Sequence, residues 1–334
     1  VSSIGLWNDG TNDRIVTLDQ SQHRLREFSL ASGSTISTIA GTGVAAAPST
    51  SLAANAQPIY DLYSTTTSYL FGLDGSGNIF MPIANATIGK LSRSTGKWAS
   101  FIGNGSTFYY ASGADGLAGS SIKFTNGNGY AGVLGYGGGK VIAQFGVRNG
   151  SNYDYPFYKM YDSSTAIQSN LVGYNGTSVA GNAWCANGTS LAASCIIPEN
   201  DNGNPVPYGP VYDSTDGSWL MRSNTSSDIS VRKILPGGNM QTYFSTTGTI
   251  RGFALNKGSS PTHEYFYYCD NSVSPSKIKK VDMINSPTAP VALTWPISSV
   301  ACDGNNMIYS SSRNSLIFIY KQNGMYGVIE YANP

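Results

Sequence analysis

The chain has 334 residues, with 20 Lys and Arg against 19 Asp and Glu, so its formal net charge is +1. Charged residues make up only 12%, which argues against a nucleic-acid partner held by a clustered basic surface and against attachment to an anionic membrane. No apolar run approaches the roughly 20 residues that span a bilayer, so no membrane insertion is expected, and 40% apolar residues with 22 Tyr suffice for a folded core despite 39 Gly.

Val1 opens the chain with neither a Met nor a signal peptide, which implies a processed product or part of a larger chain or assembly. Helical periodicity is absent. Short runs of β-branched and aromatic residues recur between clusters of Gly, Asn, Asp and Ser, the pattern of strands and turns. A strand candidate at Gly5-Leu6-Trp7 comes first. Arg14-Ile15-Val16-Thr17-Leu18 and His23-Arg24-Leu25-Arg26-Glu27-Phe28 follow, and after a Ser32-Gly33 turn the unit closes at Thr35-Ile36-Ser37-Thr38-Ile39-Ala40-Gly41-Thr42-Gly43.

The second unit repeats the first. Asp74-Gly75-Ser76-Gly77-Asn78 turns into Ile79-Phe80-Met81; Thr87 to Leu91 is the next strand, Thr95-Gly96 turns, and Ala99-Ser100-Phe101-Ile102-Gly103-Asn104-Gly105 closes the unit. Weaker copies have strands at 140–145, 156–161 and 167–173; at 219–223, 229–235 and 240–244; at 264–269, 277–283 and 291–295; and at 307–310, 316–320 and 326–331. Each has a further strand ahead of it, such as 250–255 or 299–302. The expectation is a single all-β domain over 1–334, a six-bladed β-propeller of four-stranded antiparallel blades. A long inter-blade insertion is expected at about 174–210. The run Gly135-Tyr136-Gly137-Gly138-Gly139 reads as a hairpin turn.

The units resemble NHL repeats. Gln22 to Phe28 and Ser37 to Gly43 are similar to that family's N-H-R-I-R-K-like strand and V-A-G-T-G-like end. Residues 45–58 resemble its G-P-A-T-x-A-x-L-N-x-P linker, and 114–124 the D-G-x-A form of the same linker. The likeness covers residues 14–125 and is faint beyond. It implies the propeller fold of secreted or surface bacterial proteins. It also points to catalytic relatives: amidating lyases with zinc on several histidines, lactonases with channel calcium on Glu, Asn and Asp, and streptogramin-type lyases needing a His and a metal.

This chain has two histidines, His23 and His263, so a three-His metal site is impossible. A carboxylate and amide calcium site stays open, although Asp74, Asp216 and Asp303 each precede Gly and read as turn residues. No G-x-S-x-G elbow or phosphate loop is present. Neither a metal nor a cofactor is expected.

Four cysteines remain. Cys185 and Cys195 lie in one loop without strand or helix pattern, where a bridge would staple it. Cys269 and Cys302 fall in consecutive strand regions, and the register decides whether they meet. A surface rich in Ser, Thr, Asn, Gly and Tyr, with cysteines free of any CxxC pair, fits an extracellular or cell-surface location.

In a propeller the loops between blades share one face with the loops joining second and third strands. Those are the long ones here: residues 43–57, 105–125, 146–155 and 174–210. They carry Tyr109, Tyr110, Tyr153, Tyr155 and Trp184, with Arg148 among the few charges. Such aromatics stack on sugar rings or anchor a protein, and some pin their own loops. The expected function is non-catalytic recognition or adhesion, binding a glycan or a surface protein of another cell, in the manner of the terminal domain of an adhesin or fibre. The alternative is a metal-dependent lyase or hydrolase with its site at the channel.

Overall fold

The computed structural model describes residues 3–19, 21–60, 71–84, 87–103, 118–121, 131–149, 153–172, 210–224, 229–257, 263–294 and 301–334. At 121, 131–132, 144–149, 153–157, 170, 172, 223–224 and 303–306 it describes the backbone alone.

Six antiparallel sheets follow one another along the chain. The first is β1 (Ser3–Asn8), β2 (Asp13–Asp19), β3 (Arg24–Ser29) and β4 (Ser37–Ala40); the second is β5 (Gly72–Leu73), β6 (Ile79–Ala84), β7 (Thr87–Ser92) and β8 (Lys97–Ile102). The third is β9 (Ala131–Gly137), β10 (Lys140–Asn149), β11 (Tyr153–Asp162) and β12 (Gln168–Val172). The fourth is β13 (Val211–Asp213), β14 (Ser218–Asn224), β15 (Ile229–Ile234) and β16 (Met240–Ser245). The fifth is β17 (Ile250–Lys257), β18 (Glu264–Asp270), β19 (Lys277–Asp282) and β20 (Ser286–Ala292). The sixth is β21 (Ala301–Ser310), β22 (Ser315–Gln322) and β23 (Met325–Ala332). Among the described residues the only helical turns are Ala54–Ala56 and Gly119–Ser121.

The sheets are the blades of a six-bladed β-propeller. The first strand of each lines a central channel, and successive strands step outward. A blade is apolar on both faces because it is buried between two neighbours. Along β22, Leu316 and Phe318 pack in the seam with blade five, while Ile317 and Ile319 turn to blade one. This period-2 division explains why its buried core reads as a continuous apolar run. Six apolar clusters fill the six seams.

The ring closes by packing. Ile4 and Ile15 of blade one meet Ile317 and Ile319 of blade six, and Ser310 and Ser312 both donate hydrogen bonds to Asp13. No strand is exchanged between the first and last blades among the described residues.

Local sequence sets the turns. At the β5–β6 turn, Asp74 Oδ1 accepts the backbone N–H groups of Ser76 at 3.0 Å and Asn78 at 2.8 Å. Gly77 there has φ +77°, and a Cβ would lie 2.8 Å from the Trp7 ring of the neighbouring blade, so only glycine fits. The glycine run ends the same way, with Gly138 and Gly139 at positive φ between β9 and β10.

Three expectations are corrected. Residues 146–149 and 153–155, expected in a loop, are the paired ends of β10 and β11, with Val147 opposite Tyr155. Residues 301–302 and 307–310 are not parts of two strands. Ala301–Ser310 is one strand with a register shift between Cys302 and Met307, which leaves blade six with three strands among the described residues. The last strand of blade five is Ser286–Ala292 rather than 291–295; it accepts Pro287 and Pro290 because an outermost strand has a free edge that needs no N–H.

Candidate binding face

Strand alternation fixes two faces. Turns between first and second strands, and between third and fourth, lie on one, the turn face. Turns between second and third strands, and all connections between blades, lie on the other, the linker face. The first three connections between blades span residues 41–71, 103–130 and 173–210 of the sequence, and the strand ends that they join lie on the linker face.

The first connection is described as far as residue 60. It is pinned by Ala54 and Ile59, both buried in the seam of blades one and two. The bridge Ala45↔Ile59 closes it on itself and Ala53↔Lys97 ties it to the start of β8, and Gln57 accepts from Ser49 N at 2.6 Å while donating to Leu52 O at 3.0 Å. Pinned in this way, it exposes Val44 at 57% and Leu52 at 55%. The turn between β18 and β19 adds exposed Val273 to the same face.

Of the residues expected to bind, Tyr109, Tyr110 and Trp184 lie outside the described residues, as do Cys185, Cys195 and residues 174–209 of the long insertion. Tyr153, Tyr155 and Arg148 are at the linker-face end of the β10–β11 hairpin. Tyr153 pairs with Asn149 and Tyr155 with Val147, whereas Arg148 pairs with Asp154. The backbone therefore brings the two tyrosine positions onto one side of the hairpin and leaves Arg148 on the other. His23 follows β2 on the linker face and His263 precedes β18 on the turn face, so the histidines do not share a site.

The axial channel holds a cavity of about 360 Å³. Its described wall includes Ile4, Leu73, Leu134, Tyr136, Tyr212 and Tyr309. Among the described residues, no three His, Cys, Asp or Glu side chains converge to hold a metal ion.

A charge network in the seam of blades four and five, on the turn face, has no local signature in the sequence. Asp213, with its side chain 1% exposed, is 2.6 Å from Lys257 Nζ and 3.4 Å from Lys233 Nζ. Lys233 also pairs with Asp216 at 2.5 Å and Lys257 with Glu264 at 3.5 Å. The Tyr243 hydroxyl donates to Glu264. Burial pushes the Asp213 carboxyl up, but hydrogen bonds from Lys257 and Thr215 outweigh it and leave it below the usual range. The same contest, with Lys233 and Ser218 as donors, holds Asp216 at about 2. Burial, then the bond to Glu264, raises Tyr243. Every charge here has a partner in the fold, so the network locks a seam. Asp213-Ser214-Thr215-Asp216-Gly217 reads locally as a turn, and nothing in it announces lysines from two blades.

Cys269 and Cys302 form a disulfide with a Cα–Cα distance of 6.0 Å. Both are buried, and the bridge joins β18 of blade five to β21 of blade six. No helix of the described residues is long and apolar enough to cross a membrane.

No protein-family description matches the sequence, and no curated protein matches it. Solved structures do. TolB from Acinetobacter baumannii superposes with a TM-score of 0.51 at 9% identity, over 98% of this chain and 62% of that one. The similarity is one of fold. The chain thus spans less than two thirds of the length of TolB. A structure described as a gluconolactonase gives a TM-score of 0.46 at 9% identity, over 98% of this chain and 92% of its own. An oligogalacturonate lyase in complex with manganese gives 0.40 at 9% identity, over 97% and 83%.

Proposed function

We propose that this propeller is a non-catalytic recognition module of the cell exterior, of the NHL-like type, binding a glycan or a surface protein of another cell through its linker face. The observation that carries the reading is the asymmetry of the two faces. The strand ends that three long connections join, and the β10–β11 extension, lie on the linker side, while most turns on the other side are short. Long connections in a compact repeat fold are where binding residues concentrate. Val44 and Val273 add apolar area on that side, and near-neutral composition favours stacking and shape over charge. The Cys269–Cys302 bridge supports an oxidising compartment.

The enzyme reading, a lyase or hydrolase at the channel, has less behind it: the described side chains of the cavity wall are aliphatic, aromatic or phenolic, and none of them is charged. The test is binding of fluorescently labelled protein to panels of intact cells, before and after periodate oxidation of glycans or protease treatment. Saturable binding lost to either treatment supports the reading and names the ligand class. Absence of binding to every panel, with turnover of lactone or polysaccharide substrates instead, overturns it.

A further inference from the structure

Six Asn-x-Ser/Thr triplets occur in the sequence, at Asn85, Asn104, Asn149, Asn175, Asn187 and Asn224, none with Pro in the middle. This triplet is the acceptor of N-linked glycosylation, a modification of surface segments in secreted chains. A chain this rich in Asn, Ser and Thr contains such triplets by composition alone, so their number decides nothing. Their placement does.

Asn149 is the last residue of β10 and pairs with Tyr153 of β11. Asn224 is the last residue of β14 and pairs with Ile229 of β15. In each case a second strand ends where it connects to a third, so both positions stand on the linker face. Asn85 comes between Ala84 and Thr87, which pair at the matching end of β6 and β7, and Asn104 follows Gly103 just beyond β8. Asn175 and Asn187 belong in sequence to the connection from blade three to blade four; these last two, like Asn85 and Asn104, lie outside the described residues. Every triplet thus falls in or beside a segment whose flanking strand ends lie on the linker face.

The turn face is the contrast. Asn8, Asn12, Asn78, Asn239, Asn285 and Asn314 stand in or beside its turns, and none has Ser or Thr two residues on. Four of them already use the amide nitrogen that a glycan would need. Asn8 Nδ2 donates to Asp13 at 2.7 Å, Asn78 Nδ2 to Asp74 at 2.8 Å, Asn285 Nδ2 to Asp282 at 2.9 Å and Asn314 Nδ2 to Asn333 at 3.0 Å. These asparagines lock turns.

We propose that Asn149 and Asn224 carry N-linked glycans and that glycosylation is confined to the linker face. The donor is an oligosaccharide on a lipid diphosphate, and the catalyst is a transferase of the secretory route rather than this chain. A bond forms between Asn Nδ2 and the anomeric carbon of the first sugar, and the bond from that carbon to the diphosphate oxygen breaks. The lipid diphosphate leaves with the electron pair, and the amide nitrogen gives up one proton to a base of the transferase. The hydroxyl two residues on, Ser151 or Ser226, marks the acceptor. Such glycans are bulky and solubilising, and they add hydration to a chain in which only 12% of residues are charged. The proposal rests on the exterior location in the reading above and not on the ligand proposed there.

The test uses the protein recovered from its native source. Peptide N-glycosidase in heavy-oxygen water turns each glycosylated Asn into an Asp that carries one heavy oxygen, and peptide mass spectrometry locates it. Label is expected at Asn149 and Asn224 and at none of the six turn-face asparagines. In full chain secreted by the same cells, Asn149→Gln, Ser151→Ala, Asn224→Gln and Ser226→Ala should each remove the mass of one glycan. The two Ser→Ala variants keep the asparagine, so they separate loss of the glycan from loss of the side chain. Absence of label at both Asn149 and Asn224 overturns the proposal, and so does label on the turn face. Where label is absent, an intact Cys269–Cys302 bridge leaves the exterior reading standing, whereas free thiols at both positions remove that reading as well.

Discussion

Ser312 Oγ donates a 2.8 Å hydrogen bond to Asp13 Oδ2 across 299 positions of sequence, and that bond ties the last blade to the first. Asp13 also accepts from Asn8 Nδ2 at 2.7 Å, so one carboxylate both shapes the β1–β2 turn and receives the far end of the ring. Beneath it, Ile4, Ile15, Ile317 and Ile319 supply the apolar part of the closure.

Closure of that kind rests on packing more than on the single hydrogen bond. Ile317→Ala removes a fully buried side chain from the smallest seam cluster among those described and should cost about 3 kcal/mol. Ser312→Ala, at an exposed bond, should cost about 1 kcal/mol or less. Urea denaturation of the two variants checks the order. Equal effects would mean that the polar contact holds the ring.

The lock between blades four and five should depend on Asp213. Asp213→Asn leaves Lys233 with Asp216 and Lys257 with Glu264, so the loss should be about 3 kcal/mol, the low end for breaking a buried pair. The comparison in denaturant is Asp9→Asn, at an exposed ion pair with Arg14, which should change stability little.

Acid should act through the same groups. Asp213, Asp216 and Asp270 are all depressed below the ordinary carboxylate value when folded. Their contribution is then complete above the unfolded value of about 4. It is lost as pH falls toward the folded values, which for Asp216 is about 2. Lys257 is raised, so its contribution is complete below about 10.4 and fades above it. Thermal melting should show a plateau near neutrality and a fall in melting temperature below pH 4. A melting temperature that rises from pH 4 to pH 2 would contradict the network.

The disulfide should matter as a link between blades. A separation of 33 residues corresponds to a loop-closure contribution of about 3–4 kcal/mol. Cys269→Ser with Cys302→Ser, or reduction, should lower stability by about that amount. Denaturation with and without reductant measures it, and an unchanged midpoint would contradict the account.

The strands and turns of the first two units were legible because their signals are local. Asp74 to Asn78 announces its turn through one carboxylate and one glycine at positive φ, and Ile79-Phe80-Met81 announces a strand buried on both sides. In the β10–β11 extension Gly146, Asn149 and Tyr153 look like loop residues, while the pairing that makes them strand comes from the facing strand. Strand β20 was shifted because Pro287 and Pro290 argue against a strand unless its outer edge is known to be free. Residues 299–302 and 307–310 were separated by polar Asp303 to Asn306, which a register shift absorbs within one strand. Of the candidate site, the sequence made legible that Arg148, Tyr153 and Tyr155 stand where the second and third strands of blade three connect. That Arg148 falls on the opposite side of the hairpin from Tyr153 and Tyr155 was not, since register decides it.

The central claim is that the linker face binds. Its most direct test is titration of the captured ligand against the unaltered protein and against Tyr153→Ala, Tyr155→Ala and Trp184→Ala, at low and at physiological salt. The account predicts that at least one substitution weakens binding by on the order of 1–3 kcal/mol with the fold intact. It also predicts that salt changes affinity little, because contacts between neutral groups are not screened. Unchanged affinity in all three variants, with the ligand mapped to the turn face, would contradict it.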